Sequence, residues 1–189
     1  RYAVTQDVRL VGTYEIADGE TLKARQLRGG IEVSPWQGGQ VVTTLGEETI
    51  GENGNRSFAA FGLSQTLALS PALTIDATID GNRTLGGNPG TGGVVNPAQP
   101  TASGGQITGG LLFEDFTAVT FGAAWRKDRW SVVARGELRD GETANRKGFT
   151  FGAIRQLGEG SLVGSGATWT LSEAAGGARA EIRDASIAF

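Results

Sequence analysis

The stretch Leu73-Thr74-Ile75-Asp76-Ala77-Thr78-Ile79-Asp80 decides the fold. Its apolar residues fall at odd positions, and its Thr and Asp residues at even ones. A β-strand turns successive side chains to opposite faces, so this stretch reads as a strand with one apolar and one polar face. The same alternation runs outward in both directions. Trp130, Val132, Ala134, Gly136 and Leu138 alternate with Ser131, Val133, Arg135, Glu137 and Arg139. Val8, Leu10, Gly12, Tyr14 and Ile16 alternate with Asp7, Arg9, Val11, Thr13 and Glu15. Phe61, Leu63, Leu67 and Leu69 share a face interrupted by Gln65. No stretch carries a 3.6-residue period.

Turn residues between these runs predict ten strands, at about 3–17, 21–35, 40–50, 56–70, 73–80, 114–126, 130–139, 144–156, 161–172 and 178–188. Several exceed the five or six residues usual in a soluble sheet, whereas a tilted strand crossing a bilayer needs about 9–11. The connections alternate in character. Trp36-Gln37-Gly38-Gly39, Ser70-Pro71-Ala72, Lys127-Asp128-Arg129 and Gly158-Glu159-Gly160 are short. Those between, at Asp18–Glu20, Gly51–Asn55, Gly81–Gly110, Asp140–Thr143 and Ser172–Gly177, are mostly longer or more polar. In an up-and-down barrel every second connection lies at the same end, so one end is expected to carry short turns and the other long loops. Trp36, Trp125 and Trp130 adjoin the short turns, and the same parity puts Tyr2 and Phe189 at that end. Indole rings favour the headgroup level of a membrane, so these five residues are the expected interface aromatics.

Composition narrows the function. Among 189 residues there is no Cys, Met or His, which removes disulfides, thiolate metal sites, the commonest general base and every Ser-His-Asp triad. Seventeen basic against 20 acidic residues, a net charge of −3, argue against nucleic acid as a partner. No stretch is apolar enough for a transmembrane helix. The chain opens on Arg1 with no Met, as a processed or truncated start would.

Alternating strands, alternating loop lengths and clustered aromatics together resemble a bacterial outer-membrane β-barrel over nearly the whole chain. Such barrels often end on an aromatic residue preceded by alternating apolar ones. Phe189, Ile187 and Ala185 fit, and Arg183 and Glu181 on the same parity do not. The resemblance implies a single domain over 1–189, all-β, folded as an antiparallel up-and-down barrel of about ten strands, or a ten-strand portion of a larger one. It implies a bilayer as partner, location in the bacterial outer membrane, and a passive channel for ions or small polar solutes. The alternatives are an anchoring barrel for an upstream passenger or another surface protein, and a soluble sandwich or lipocalin-like binding module, whose apolar faces would turn inward. The omptin-like proteases and phospholipases among these barrels use a catalytic His, so no enzyme activity, cofactor or metal is expected here.

If the polar strand face lines a lumen, the lining residues are Asp7, Arg9, Glu15, Arg28, Glu32, Asp76, Asp80, Arg135, Glu137, Arg139 and Arg146. Charges of both signs there either select a passing solute or fill a narrow interior as ion pairs. Gly81–Gly110 holds ten Gly and three Pro, and is expected to be a long loop, over the surface or folded into the lumen. Asp-Gly-Glu-Thr occurs at 18–21 and again at 140–143, where Asp-Gly supplies tight-turn chemistry. Loop parity predicts that labelling of intact cells reaches Asn96 and misses Asp128; labelling at Asp128 alone reverses the assignment.

Overall fold

The computed structural model describes residues 1–18, 23–50, 54–87 and 115–189. Among them it forms one antiparallel sheet of eleven strands and no helix. The strands are β1 (Tyr2–Ala3), β2 (Val8–Asp18), β3 (Lys23–Val33), β4 (Gly39–Ile50), β5 (Asn55–Ser70), β6 (Leu73–Gly87), β7 (Phe116–Lys127), β8 (Trp130–Gly141), β9 (Ala144–Gly158), β10 (Ser161–Ala174) and β11 (Arg179–Ala188). Their order in the sheet is their order in the chain, a pure meander.

All ten expected strands are present, with four differences. The first begins at Val8 rather than at residue 3, because the Thr5 hydroxyl accepts the Asp7 and Val8 N–H groups at 3.3 and 3.1 Å. That turn folds Tyr2 and Ala3 back against Leu10 and Arg9 as the short β1. Second, β6 runs on to Gly87, so residues 81–87 are strand and not loop. Gly81 and Asn82 pair with Phe61 and Ala60 on one side and with Thr117 and Phe116 on the other. The rest of the expected loop, residues 88–110, lies outside the described residues. Third, the barrel is not closed: among the described residues β11 pairs only with β10, and β1 only with β2. Fourth, the loop asymmetry is narrower than the sequence implies. The β8–β9 connection is only Glu142 and Thr143, while the β3–β4 connection takes residues 34–38.

The register carries one parity across the whole sheet. Thr66, Asp76, Gly122, Arg135, Thr150, Thr168 and Asp184 form a continuous row, each opposite the next. A one-residue slip anywhere would send the polar set to the other face, so the register is strongly specified. Two-residue turns help to fix it. The β7–β8 turn is Asp128-Arg129, and Asp128 takes a left-handed φ of 51°, a conformation that Asp tolerates better than most residues.

Gly30 marks a place where two backbones come too close for any side chain. A Cβ there would lie 2.1 Å from the Thr43 carbonyl oxygen and 2.7 Å from Thr44 Cα, whereas one on Gly29 would meet nothing within 4 Å. Gly30→Ala is therefore expected to lower the unfolding free energy by about 1–3 kcal/mol, read by urea denaturation followed by Trp fluorescence. Gly29→Ala is expected to stay within about 0.5 kcal/mol of the parent or to gain slightly.

Candidate functional site: the inner polar face

Over β2–β7 one parity of the sheet is mostly buried and polar and the other mostly exposed and apolar, whereas β11 is exposed on both. The buried face, called inner below, carries Gln26, Arg28, Glu32, Glu48, Arg56, Asp80, Asn82 and Arg139. The outer face carries the large apolar side chains, with Leu45 60 % and Leu138 56 % exposed beside Tyr14, Leu27, Phe121 and Phe149. Leu73, Ile75, Ala77 and Ile79 sit outward, and Thr74, Asp76, Thr78 and Asp80 inward, as their alternation predicts. Charged residues border the outer apolar run: Arg25 precedes Leu27 on β3, Glu47 follows Leu45 on β4, and Lys147 and Arg155 flank Phe149–Ala153 on β9. Four exposed apolar side chains, Val133, Ile154, Leu162 and Ile182, depart from the rule and share the inner parity of β8–β11.

Ten of the eleven expected lining residues take inner-parity positions on strands. Asp7 lies just before β2, exposed, its carbonyl accepting the Ser34 N–H at 2.8 Å. Three ion pairs join expected residues: Arg9–Glu32 at 3.0 Å, Arg135–Asp76 at 2.7 Å and Arg146–Glu137 at 3.2 Å. The Arg135–Asp76 pair spans β7 because Gly122 stands between them; a Cβ there would lie 2.5 Å from Asp76 Oδ1. Arg139 lies 4.1 Å over the Phe116 ring. Glu15 and Arg28 are diagonal neighbours on β2 and β3 and form no ion pair with each other. Asp80 is buried between Gly62 and Ala118.

The densest cluster includes residues that the sequence reading missed. Arg56 Nη1 donates to Glu48 Oε1 at 3.1 Å, and Nη2 donates to Asn82 Oδ1 at 2.8 Å and to Asp115 Oδ1 at 3.1 Å. Its Nε donates to Thr84 Oγ1 at 2.7 Å, and Thr84 in turn donates its N–H and its hydroxyl to Asp115 Oδ1, each at 2.7 Å. Gln26 Nε2 completes the group by donating to Glu48 Oε2 at 2.9 Å. Arg28 and Arg56 share the Phe58 ring, 5.3 and 5.4 Å from its centroid. Arg56 was legible in principle: it sits two residues before Phe58, on the polar parity of β5, but next to a predicted loop boundary.

At the short-turn end, Trp125 stands opposite Leu73 and Val132, and Arg155 lies 5.2 Å over the Trp130 ring. Trp36 Nε1 donates to Gln65 Oε1, which gives the residue that interrupts the apolar face of β5 a partner. Tyr2 and Phe189 are exposed at the chain ends. The remaining tryptophan, Trp169, lies outward on β10 toward the long-loop end and donates to Glu181 Oε1 at 2.7 Å. Arg183 binds the same carboxylate oxygen at 2.7 Å, so the two charges that break the terminal apolar pattern neutralise each other. No protein-family model, curated protein or solved structure matches the chain.

Removing one partner of a buried pair leaves the other charge uncompensated. Arg56→Gln is thus expected to cost about 3–5 kcal/mol, because it leaves Glu48 buried without its cation, measured by urea unfolding. Arg135→Gln, at a half-exposed pair, is expected to cost about 1 kcal/mol or less in the same assay.

Proposed function

We propose that the chain is a β-barrel, or a strand set within one, of the bacterial outer membrane and acts as a passive channel for ions or small polar solutes. The observation that carries this reading is the inverted burial, with polar side chains packed inward and large apolar ones exposed outward. Exposing that much apolar surface to water is unfavourable, and a lipid surround removes the cost. Strands β2–β11 are 10 to 16 residues long, enough to cross a hydrocarbon layer at a tilt. The charged borders on β3, β4 and β9 suit the headgroup levels on either side, as do the outward tryptophans. Closure of the barrel, through β2 and β11 or through further strands, belongs to this proposal. The lipid bilayer is then the principal partner.

A second reading, an anchoring barrel without transport, draws on the packing of the inner face around Arg56. Gln26, Glu48, Arg56 and Asn82 leave little open space at the long-loop end of β3–β6. Conduction separates the two. Protein folded into planar bilayers is expected to give discrete current steps, and Arg135→Glu with Arg139→Glu to shift selectivity toward cations, because a charge beside a low-dielectric wall acts strongly on a passing ion. A silent bilayer with folded protein favours the anchor. For the shared membrane premise, Leu138→Arg on the outer face is expected to cost about 2–4 kcal/mol of stability in lipid if it sits near the midplane. Stable, monomeric folding of the parent chain in buffer without detergent or lipid overturns both readings.

A further inference from the structure

The short-turn end of the inner face holds a cleft of about 620 Å³, within the range of about 300–1,000 Å³ usual for small-molecule sites. Trp36 lines it together with the polar residues Asp7, Ser34, Gln40, Ser64 and Thr66. Gln40, Ser64 and Thr66 lie on the inner parity of β4 and β5. None of the five polar side chains hydrogen-bonds to another described residue. A carboxylate, an amide and three hydroxyls therefore border one cleft with their bonding capacity unspent.

The turn that carries Trp36 is fastened to β5. Gly38 takes a left-handed φ of 75°, and its carbonyl accepts the Thr66 N–H at 2.8 Å. Gln65 spends its whole amide in the same place. Its Oε1 accepts from Trp36 Nε1, and its Nε2 donates to the carbonyls of Gln37 and Thr66 at 3.4 and 3.0 Å. Gly39 is the seat of the indole. A Cβ on it would lie 2.2, 2.5 and 2.7 Å from Nε1, Cε2 and Cδ1 together, which puts the residue against the face of the ring and not its edge. With one face seated on glycine, Trp36 is still 54 % exposed. A polar residue on an apolar strand face and two adjacent glycines thus hold one aromatic ring at the cleft.

We infer that this cleft binds a neutral hexopyranose unit. A pyranose ring presents C–H bonds on one face, which pack on an indole, and a rim of hydroxyls that each donate and accept. The Asp7 carboxylate accepts from such hydroxyls in charge-assisted bonds, and the Gln40 amide and the Ser and Thr hydroxyls serve the others in either sense. Among the described residues no cation lines the cleft, which disfavours an anion, and one carboxylate is too few to hold a metal ion. The site is made by a turn and the strand ends beside it, so it stands independently of whether the sheet crosses a bilayer.

The test is titration of the folded full chain with the α and β anomers of methyl glucopyranoside and methyl galactopyranoside. If folding needs micelles, the detergent has no sugar headgroup. Glycerol, which has hydroxyls and no ring face, and tetramethylammonium chloride, a cation suited to Asp7 and Trp36 alone, are the controls. Indole Nε1–H resonances are followed by NMR, with that of Trp36 assigned from its loss in Trp36→Phe. Saturable movement of that resonance is expected with at least one pyranoside. Affinity, read from the proton signals of the sugar, is expected to fall about tenfold or more in Trp36→Ala and in Asp7→Ala. Trp169→Phe, altered at the long-loop end, is expected to bind as the parent does. A Trp36 resonance that moves with none of the four pyranosides, or equally with glycerol, or with tetramethylammonium alone, overturns the site. So does unchanged pyranoside affinity in a folded Trp36→Ala or Asp7→Ala. None of these readouts depends on membrane insertion or conductance, so failure here leaves the channel reading standing, and the reverse holds as well.

Discussion

The described residues form a single sheet, so the polar groups on its enclosed face find most of their partners within that same sheet. This constraint organises the inner face. Arg9 reaches Glu32 on the next strand, Arg146 reaches Glu137, and Arg135 reaches two strands over to Asp76 across a glycine. Arg56 joins β4, β5 and β6 to Asp115, the residue just before β7. Cross-strand pairs of this kind are the natural unit of sheet stability. Here they also specify register, because a slip would strand buried charges as well as expose the wrong face.

The alternation made most of this architecture legible. A period of two is local and survives any choice of neighbours, so Leu73–Asp80 predicts both a strand and the division of its residues between faces. What stayed hidden depended on contacts between strands. Glu47 and Glu48 are adjacent, and only the register shows that Glu48 faces inward toward Arg56. The extension of β6 through residues 81–87 was masked by glycines, which weaken a strand pattern although this segment pairs with β5, and at Gly81 and Asn82 with β7 as well. Thr5 delayed the start of the expected first strand to Val8 through a hydroxyl that caps a turn, a signal easily lost inside an alternating run.

The inner face is also unequal from side to side. On β3–β6 it is crowded with charges and amides, whereas on β9 and β10 it carries Gly148, Thr150, Gly152, Gly166, Thr168 and Thr170. Small and hydroxylated residues leave volume on β9 and β10 where the long side chains of β3–β6 fill it. Val133 on β8, Ile154 on β9 and Leu162 on β10 make this side of the sheet less polar toward the short-turn end. The face thus grades from charged to nearly apolar.

The meander has a kinetic meaning as well. Since every strand pairs with its neighbours in the chain, each pairing joins the two arms of one hairpin, and the widest gap to close is the segment between β6 and β7. Pairing between chain neighbours alone allows assembly hairpin after hairpin. It also makes the architecture modular. A hairpin can be added to or lost from either edge without rethreading the rest, and lineages built on such a sheet can widen or narrow by whole hairpins while the alternation of each surviving strand is left intact.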